Sequence, residues 1–420
     1  MSACVLSLPV DGLSWLDALA AERPDALVTP PMPGVPAGGA AGLWPWAEWR
    51  MGRDGGREEL RRFAFGSPGP AMGFLSYHAG FGTLGVDLPC PDFPAGVFRK
   101  YRVLLAPSPD ARMVHVHARD PADARRAAAL LREPAAAPPI PAFPGPARPS
   151  LGREGYMDAV RRALEHILDG DIYQLNLSIR FETDWPEGLA APAFFTSLMR
   201  SKPAMFYAIF DDPPYTLIST SPERFLLARG GRVLSQPIKG TRAAGTDLDL
   251  AVRDILASPK EEAELSMIVD LIRNDISPHC RYGSVGVDGH KSLFLVDGLL
   301  QMYANVTGEL REGSTVVDLL WDALPPGSVT GCPKRRAVEI IASLEPRHRE
   351  AYCGCLALIH GPRDMDSSVA IRTAVRHAKA GKLVFHAGSG IVVDSDAGME
   401  YEETLAKAAK FLALARGVKP

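Results

Sequence analysis

Val369-Ala370-Ile371-Arg372-Thr373-Ala374-Val375-Arg376-His377-Ala378, then Lys379-Ala380-Gly381-Lys382, then Leu383-Val384-Phe385-His386-Ala387-Gly388-Ser389-Gly390-Ile391-Val392-Val393, sets the class of the whole chain. Both long runs are rich in β-branched and apolar residues, and Gly381 falls in the turn between them, so they read as an antiparallel strand pair. Arg102 to Ala106 and Val114 to Ala118 read as another pair, and Ala71 to Thr83 as a strand closing on a glycine turn. Ile172 to Phe181, Phe206 to Phe210, Thr216 to Thr220, Phe225 to Ala228 and Arg232 to Ser235 are further short strands. Helical patterns cover 120–132, 153–169, 247–276, 333–344 and 399–416, the second with Met157, Val160, Leu164 and Leu168 on one face. Antiparallel runs separated by single long helices make an α+β chain, not a series of βα units. No internal repeat is visible.

At 420 residues the chain is long enough for two to three domains or one large one. It is 46% hydrophobic and 23% charged, as ordinary globular proteins are. A net charge of −3 argues against a nucleic-acid partner, which calls for a basic surface. The N-terminus lacks a basic n-region and soon meets Pro9 and Asp11, so no signal peptide is expected. No apolar run approaches the ~18 residues of a membrane span. Cys4, Cys90, Cys280, Cys332, Cys353 and Cys355 have no metal-ligand spacing, so reduced thiols in a cytoplasmic protein are expected. One composition break is clear: residues 133–149 hold seven prolines, which suit an extended linker or surface loop. It divides a region 1–132 from a region 151–420, with 133–150 between them.

Gln236-Pro237-Ile238-Lys239-Gly240-Thr241-Arg242 follows a strand. Lys239 there reads either as a buried amine with a depressed pKa, able to act as nucleophile or base, or as a turn lysine snorkelling to water. Glu261 and Glu264 share a helix face at i, i+3, and so do Glu400 and Glu403, with Lys407 one turn on. These are two solvated acidic faces or, if they converge, four carboxylates that a hard cation must hold together. Mg²⁺ suits that place, because it takes one or two carboxylates and keeps water and substrate oxygens as further ligands. Gly388-Ser389-Gly390 lets backbone N–H groups approach an anion, and equally marks a bend or close packing. Arg372, read as mid-strand between apolar neighbours, needs a carboxylate partner from the protein or a ligand. Gly327 to Lys334 lacks the phosphate-loop spacing, since Pro333 precedes the lysine, and a nucleotide site is rejected.

Six segments in order carry a family resemblance: Asp171 to Ser178, Ser221-Pro222-Glu223-Arg224-Phe225, Pro237 to Arg242, Ile268 to Asp275, Gly327 to Lys334, and Gly388 to Gly390. Together they resemble the chorismate-utilising enzymes, which include anthranilate synthase, aminodeoxychorismate synthase component I, isochorismate synthase and salicylate synthase. The likeness is dense over about 152–415 and loose through Met72 to Tyr77. It implies two roughly orthogonal antiparallel β-sheets wrapped by helices, with the site at their core and region 1–132 contributing to the same fold. It also implies roles. Glu264 and Glu403 match Mg²⁺ ligands, with Glu261 and Glu400 beside them. Arg372 matches the arginine that grips the enolpyruvyl carboxylate. Tyr352, Gly388, Gly390, Lys407, Thr330 and Thr241 match other substrate contacts, and Glu223 the acid that protonates the departing C4 hydroxyl.

Two positions separate the branches. Isochorismate and salicylate synthases place a water-activating lysine where this chain has Gln174, so the resemblance implies ammonia, not water, as the final nucleophile here. Anthranilate synthases have alanine at Lys239, and a lysine there resembles the aminodeoxychorismate synthases. The resemblance therefore implies amination of chorismate at C4 to 4-amino-4-deoxychorismate, toward p-aminobenzoate and folate, with Lys239 as a transient nucleophile. Anthranilate synthase component I is the alternative, and a non-catalytic chorismate-binding subunit is the alternative of another class. Ala243-Ala244-Gly245 and Gln301-Met302-Tyr303-Ala304-Asn305 depart from the family's usual residues, anthranilate synthases having His at the Gln301 position. No Leu-Leu-Glu-Ser element of the tryptophan-binding kind occurs, nor a glutaminase Cys–His–Glu set, so a separate glutamine amidotransferase subunit is the expected ammonia source.

Overall fold

Along the strand Gln174–Asp184 every second residue is apolar, and Leu175, Leu177, Ile179 and Phe181 enter one hydrophobic cluster. The computed structural model, which describes residues 4–32, 35–52, 56–132, 143–201, 204–243, 247–296 and 299–415, pairs this strand with Lys382–Ile391. The pairing is antiparallel and unbroken over ten positions, from Lys382 opposite Asp184 to Ile391 opposite Leu175. Phe385, Ala387 and Ile391 join the same cluster, with Phe385 stacked on Phe181 at 5.3 Å. Pleating then places Gln174, Asn176, His386, Gly388 and Gly390 on the opposite face. The helices Arg153–Leu168 and Ala397–Ala415 cover the apolar face. The Tyr156 hydroxyl ties them down, 2.9 Å from Ser389 Oγ, 2.9 Å from Thr404 Oγ1 and 3.2 Å from the Leu177 carbonyl.

This ladder runs on through Thr373–His377, Tyr215–Ser221, Phe206–Asp212, Asp25–Thr29, Gly38–Arg50, Gly96–Pro107 and Met113–Ala118 to Cys4–Pro9. A second ladder starts at Ala71–Leu75, which pairs with Cys355–Gly361, then Asp364–Val369, Arg224–Arg229, Arg232–Gln236 and Leu299–Glu309. Leu299–Glu309 also pairs with Ile238–Ala243 and Gly286–Val296. The two ladders meet at Gly96–Pro107, which carries Gly38–Arg50 on one edge and Ala71–Leu75 and Met113–Ala118 on the other. Every pairing among the described strands is antiparallel, so the fold is α+β as the sequence pattern requires. The helix Pro259–Ile276 packs Leu265, Ile268, Val269 and Ile272 against Leu300, Met302, Ala304 and Val306 in a second cluster.

Several expectations are corrected. The span 247–276 is two helices, Leu248–Leu256 and Pro259–Ile276, because Ser258 caps a new N-terminus and Pro259 occupies its first position. The strand from Ala71 ends at Leu75 and gives way to short helical turns through Leu84. Arg372 is not mid-strand: at φ +50° it separates Asp364–Val369 from Thr373–His377. The buried face of Arg153–Leu168 is Tyr156, Ala159, Val160 and Ala163, while Leu168 is 74% exposed. Tyr156, an aromatic with a polar tip, takes the core position that counting aliphatic residues gave to Met157. Phe143, late in the proline-rich stretch, packs on Trp185 and Phe194, whereas 133–142 lie outside the described residues. Each cysteine is a free thiol, and among the described residues no helix is long and apolar enough to cross a membrane.

A buried ion pair fixes the polar face of the first ladder. Glu345 accepts bonds from Ser178 N and Oγ, both 2.8 Å, and from Arg349 at 2.6 and 2.9 Å. Arg349 also donates to the carbonyls of Asn176 and Val329 and lies over the Tyr77 ring. Glu345→Ala, which strands the Arg349 charge, should lower unfolding free energy by about 3–5 kcal/mol, read by denaturant titration, with Glu345→Gln losing less.

Candidate active site

Between the two clusters lies a cavity of about 390 Å³. Eleven of the expected residues line it: Glu223, Lys239, Glu261, Glu264, Tyr352, Arg372, Gly388, Gly390, Glu400, Glu403 and Lys407. Thr330 does not. It is fully buried, and its hydroxyl donates to the Pro326 carbonyl at 2.8 Å, serving its own turn. Thr241 is placed in the strand Ile238–Ala243, but its side chain lies outside the described residues. A larger cavity of about 760 Å³ lies beyond Pro222 and Ile238, which line both, and it contains neither Lys239 nor any of the four paired glutamates.

Local backbone aims the key side chains. The register of Ile238–Ala243 against Leu299–Glu309 slips between Lys239 and Thr241, where Gly240 adopts φ +72°. Such a glycine bulge redirects the neighbouring side chain, here Lys239 toward the cavity. Across the cavity the sheet is tightly closed at Gly388, where a Cβ would stand 2.2 Å from the Leu177 carbonyl oxygen. At Gly390 a Cβ would meet Gln174 Nε2 at 3.2 Å and Lys239 Nζ at 3.4 Å, so both groups lie against Gly390.

The electrostatics are those of a water-poor, charge-dense site. Burial raises the Glu223 pKa to about 7, against the opposing effects of a 2.6 Å bond from Ser328 Oγ and of Lys239 and Lys407. Burial lowers the Lys239 pKa, opposed in part by Glu264 and reinforced by Lys407. Glu403 feels burial pushing its pKa up, but Lys407, 2.6 Å away, and the other lysines outweigh it and hold the carboxyl below its usual range. Lys260 lies 3.9 Å from Glu264. The four glutamates thus line one cavity, and cationic side chains offset part of their charge.

The cavity is also ringed by polar atoms that lack a partner. Asn176 Nδ2, Gln301 Oε1, His386 Nε2 and Glu400 Oε2 are buried and unbonded there, as is Gln174 Oε1 beside Lys239. Buried polar groups are nearly always satisfied, so this concentration marks a place a ligand completes. Glu400 is particularly telling: one carboxyl oxygen takes Ser395 Oγ at 2.7 Å and the other is bare. Among the described residues no three His, Cys, Asp or Glu form a ready-made metal cage. Mg²⁺ does not need one, since it keeps several waters and substrate oxygens, and the bare Glu400 oxygen with Glu261, Glu264 and Glu403 in one cavity fits it. The sequence reading missed Asn176, Gln301 and Ser328 as site residues, and His386 too. His386 was within reach of simple alternation, two residues before Gly388 on the same face.

An antiparallel α+β fold enclosing a cavity lined by carboxylates and cationic side chains defines an enzyme-like small-molecule site. Residues 48–413 match the family model described as chorismate binding enzyme, and the chain belongs to that family. It is 40% identical over 271 residues to the aminodeoxychorismate synthase component 1 of Klebsiella aerogenes, covering 63% of this chain and 58% of that protein. It is 37% identical over 284 residues to the anthranilate synthase component 1 of Thermus thermophilus, covering 65% and 61%. The matched part thus spans about three fifths of these relatives. The crystal structure of anthranilate synthase component I from Streptococcus pneumoniae superposes with a TM-score of 0.76 at 26% identity, covering 98% of this chain and 93% of that one.

Gly388→Ala forces a methyl into backbone and should destabilise the fold markedly, read as a lowered thermal midpoint. Gly390→Ala meets only side-chain ends and should leave the midpoint near that of the parent while weakening ligand binding, read by calorimetry.

Proposed function

We propose that this chain aminates chorismate at C4 to give 4-amino-4-deoxychorismate, with Mg²⁺ as cofactor and ammonia from a separate glutamine amidotransferase. The observation that carries the reading is the Lys239 amine, its pKa depressed, set beside Gln174 in the cavity that holds the paired glutamates. Arg372 and Lys407, with the approach to backbone that Gly388 and Gly390 allow, suit a dianionic substrate. Glu264 and Glu403, with Glu261 and Glu400, would hold Mg²⁺, which neutralises a substrate carboxylate as a Lewis acid. Glu223, with a pKa of about 7, is poised to give its proton to the C4 hydroxyl as it leaves. Lys239 forms a bond to C2 as the C4–O bond breaks and the ring double bond shifts. Ammonia then bonds to C4, the double bond shifts back, and the lysine departs. Gln174 can orient an amine but cannot deprotonate water, which favours ammonia at the second step.

Anthranilate formation is the second reading, because relatives of both names match at similar identity. Mass-resolved product analysis with chorismate, Mg²⁺ and ammonium separates the two. A product of aminodeoxychorismate mass that a lyase converts to p-aminobenzoate supports C4 amination. Anthranilate with pyruvate would overturn it, and chorismate binding without turnover in ammonium and Mg²⁺ would point to a non-catalytic subunit.

Lys239→Ala should keep chorismate affinity within about threefold while C4 amination falls by roughly a thousandfold or is redirected. An undiminished rate would exclude the covalent role. Glu223 is protonated below its pKa, so kcat should decline as pH rises through about 7. Glu223→Gln should lower kcat by about 10²–10⁴ and erase that alkaline limb.

A further inference from the structure

His386 is a cavity-lining group with no role in the scheme above, and its setting is specific. It is 6% exposed, lies on the strand Lys382–Ile391 with Gly388 on the same face, and lines the cavity with Tyr352 and Arg372. Its ring is stacked on Tyr352, 5.2 Å between centroids and 12° between planes, so its orientation is fixed. The backbone of His348 lies near the ring and favours its protonated form. Nε2 is buried with no partner. A neutral ring with its hydrogen on Nδ1 leaves Nε2 a bare lone pair.

The charges around the ring decide its state. Burial comes first, followed by Arg180 on the paired strand and Arg349 beside Tyr352, with His377 contributing in the same sense, and together they keep the ring neutral in the empty protein. A neutral lone pair beside an arriving carboxylate is repulsive. An imidazolium in its place is an ion-paired donor, and the nearby backbone of His348 favours that form.

We propose that His386 is a further substrate-binding residue, which takes up one proton from solvent at Nε2 as a carboxylate-bearing substrate enters and donates that hydrogen to the carboxylate. The Nε2–H bond forms as a hydronium ion or buffer acid gives up its proton, and no bond of the substrate changes. Substrate binding is therefore linked to proton uptake and weakens as pH rises. The inference rests on chorismate being the ligand, and is indifferent to whether C2 or C4 is aminated.

The test is calorimetric titration with chorismate and Mg²⁺, without ammonium, in buffers of low and high ionisation enthalpy. Glu223 remains in both proteins, so the difference between wild type and His386→Gln isolates this ring. Wild type should take up about 0.5–1 more proton than His386→Gln near pH 7. His386→Gln should bind about five- to tenfold more weakly at pH 6.5, the gap closing toward pH 8.5. His386→Phe, which keeps volume and stack but has no ring nitrogen, should match the glutamine variant. Equal proton uptake in wild type and His386→Gln would overturn this inference alone, as would full affinity in His386→Phe. No chorismate binding by the wild-type protein would instead defeat the functional reading beneath it.

Discussion

The ten-position register between Gln174–Asp184 and Lys382–Ile391 is the constraint on which the rest depends. A strand has two faces, and a slip by one residue exchanges them. In the observed register the apolar set enters the core while Gln174, Asn176, His386, Gly388 and Gly390 face the cavity. In the slipped one, phenylalanines would face the ligand and amides the core. Three features prevent the slip. Phe181 stacks on Phe385, Gly388 alone permits the close approach to Leu177, and Tyr156 bonds to Ser389 and Thr404 at once. The Glu345–Arg349 pair then clamps the polar face from behind.

The cavity is a place where folding and chemistry make opposite demands. Desolvation raises Glu223 and lowers Lys239, so each drifts toward the neutral form. That poises an acid and an amine within one cavity at neutral pH, where water would leave both charged and inert. The same desolvation penalises the fold, as do the unbonded polar atoms at the rim. Such penalties persist where surrounding structure over-determines the geometry, and a ligand that supplies donors, acceptors and a cation removes them.

Much of this was legible in the sequence, and the failures have physical causes. The hairpin around Gly381, the strands from Phe206 to Ser235 and the helix spacing of the glutamates are local patterns, and they appear as read. The strands Gly286–Val296 and Leu299–Glu309 were not seen, because Asp288-Gly289-His290-Lys291 and Gln301 interrupt their apolar alternation. Arg372 looked like a strand residue because its neighbours are apolar, yet its left-handed backbone breaks the strand just where the cavity needs a guanidinium. The convergence of Glu261 and Glu264 with Glu400 and Glu403 is tertiary, and no spacing within either helix announces it. Thr330 shows the opposite limit, a residue in the right segment whose hydroxyl is already spent on a turn.

The fork at Gly96–Pro107 bears on how the chain is made. Ala71–Leu75 finds one neighbour nearby, but its other edge waits for Cys355–Gly361, and Leu75 pairs with Cys355. Asp25–Thr29 likewise waits for Phe206–Asp212. At translation speeds of about 5–20 residues per second, the later partner emerges roughly ten seconds to a minute after the earlier strand. Through that interval an apolar strand edge stands open on the ribosome, a template for pairing with a neighbouring nascent chain. The shape that encloses the site thus leaves the first third of the polypeptide without part of its sheet until the last third has emerged.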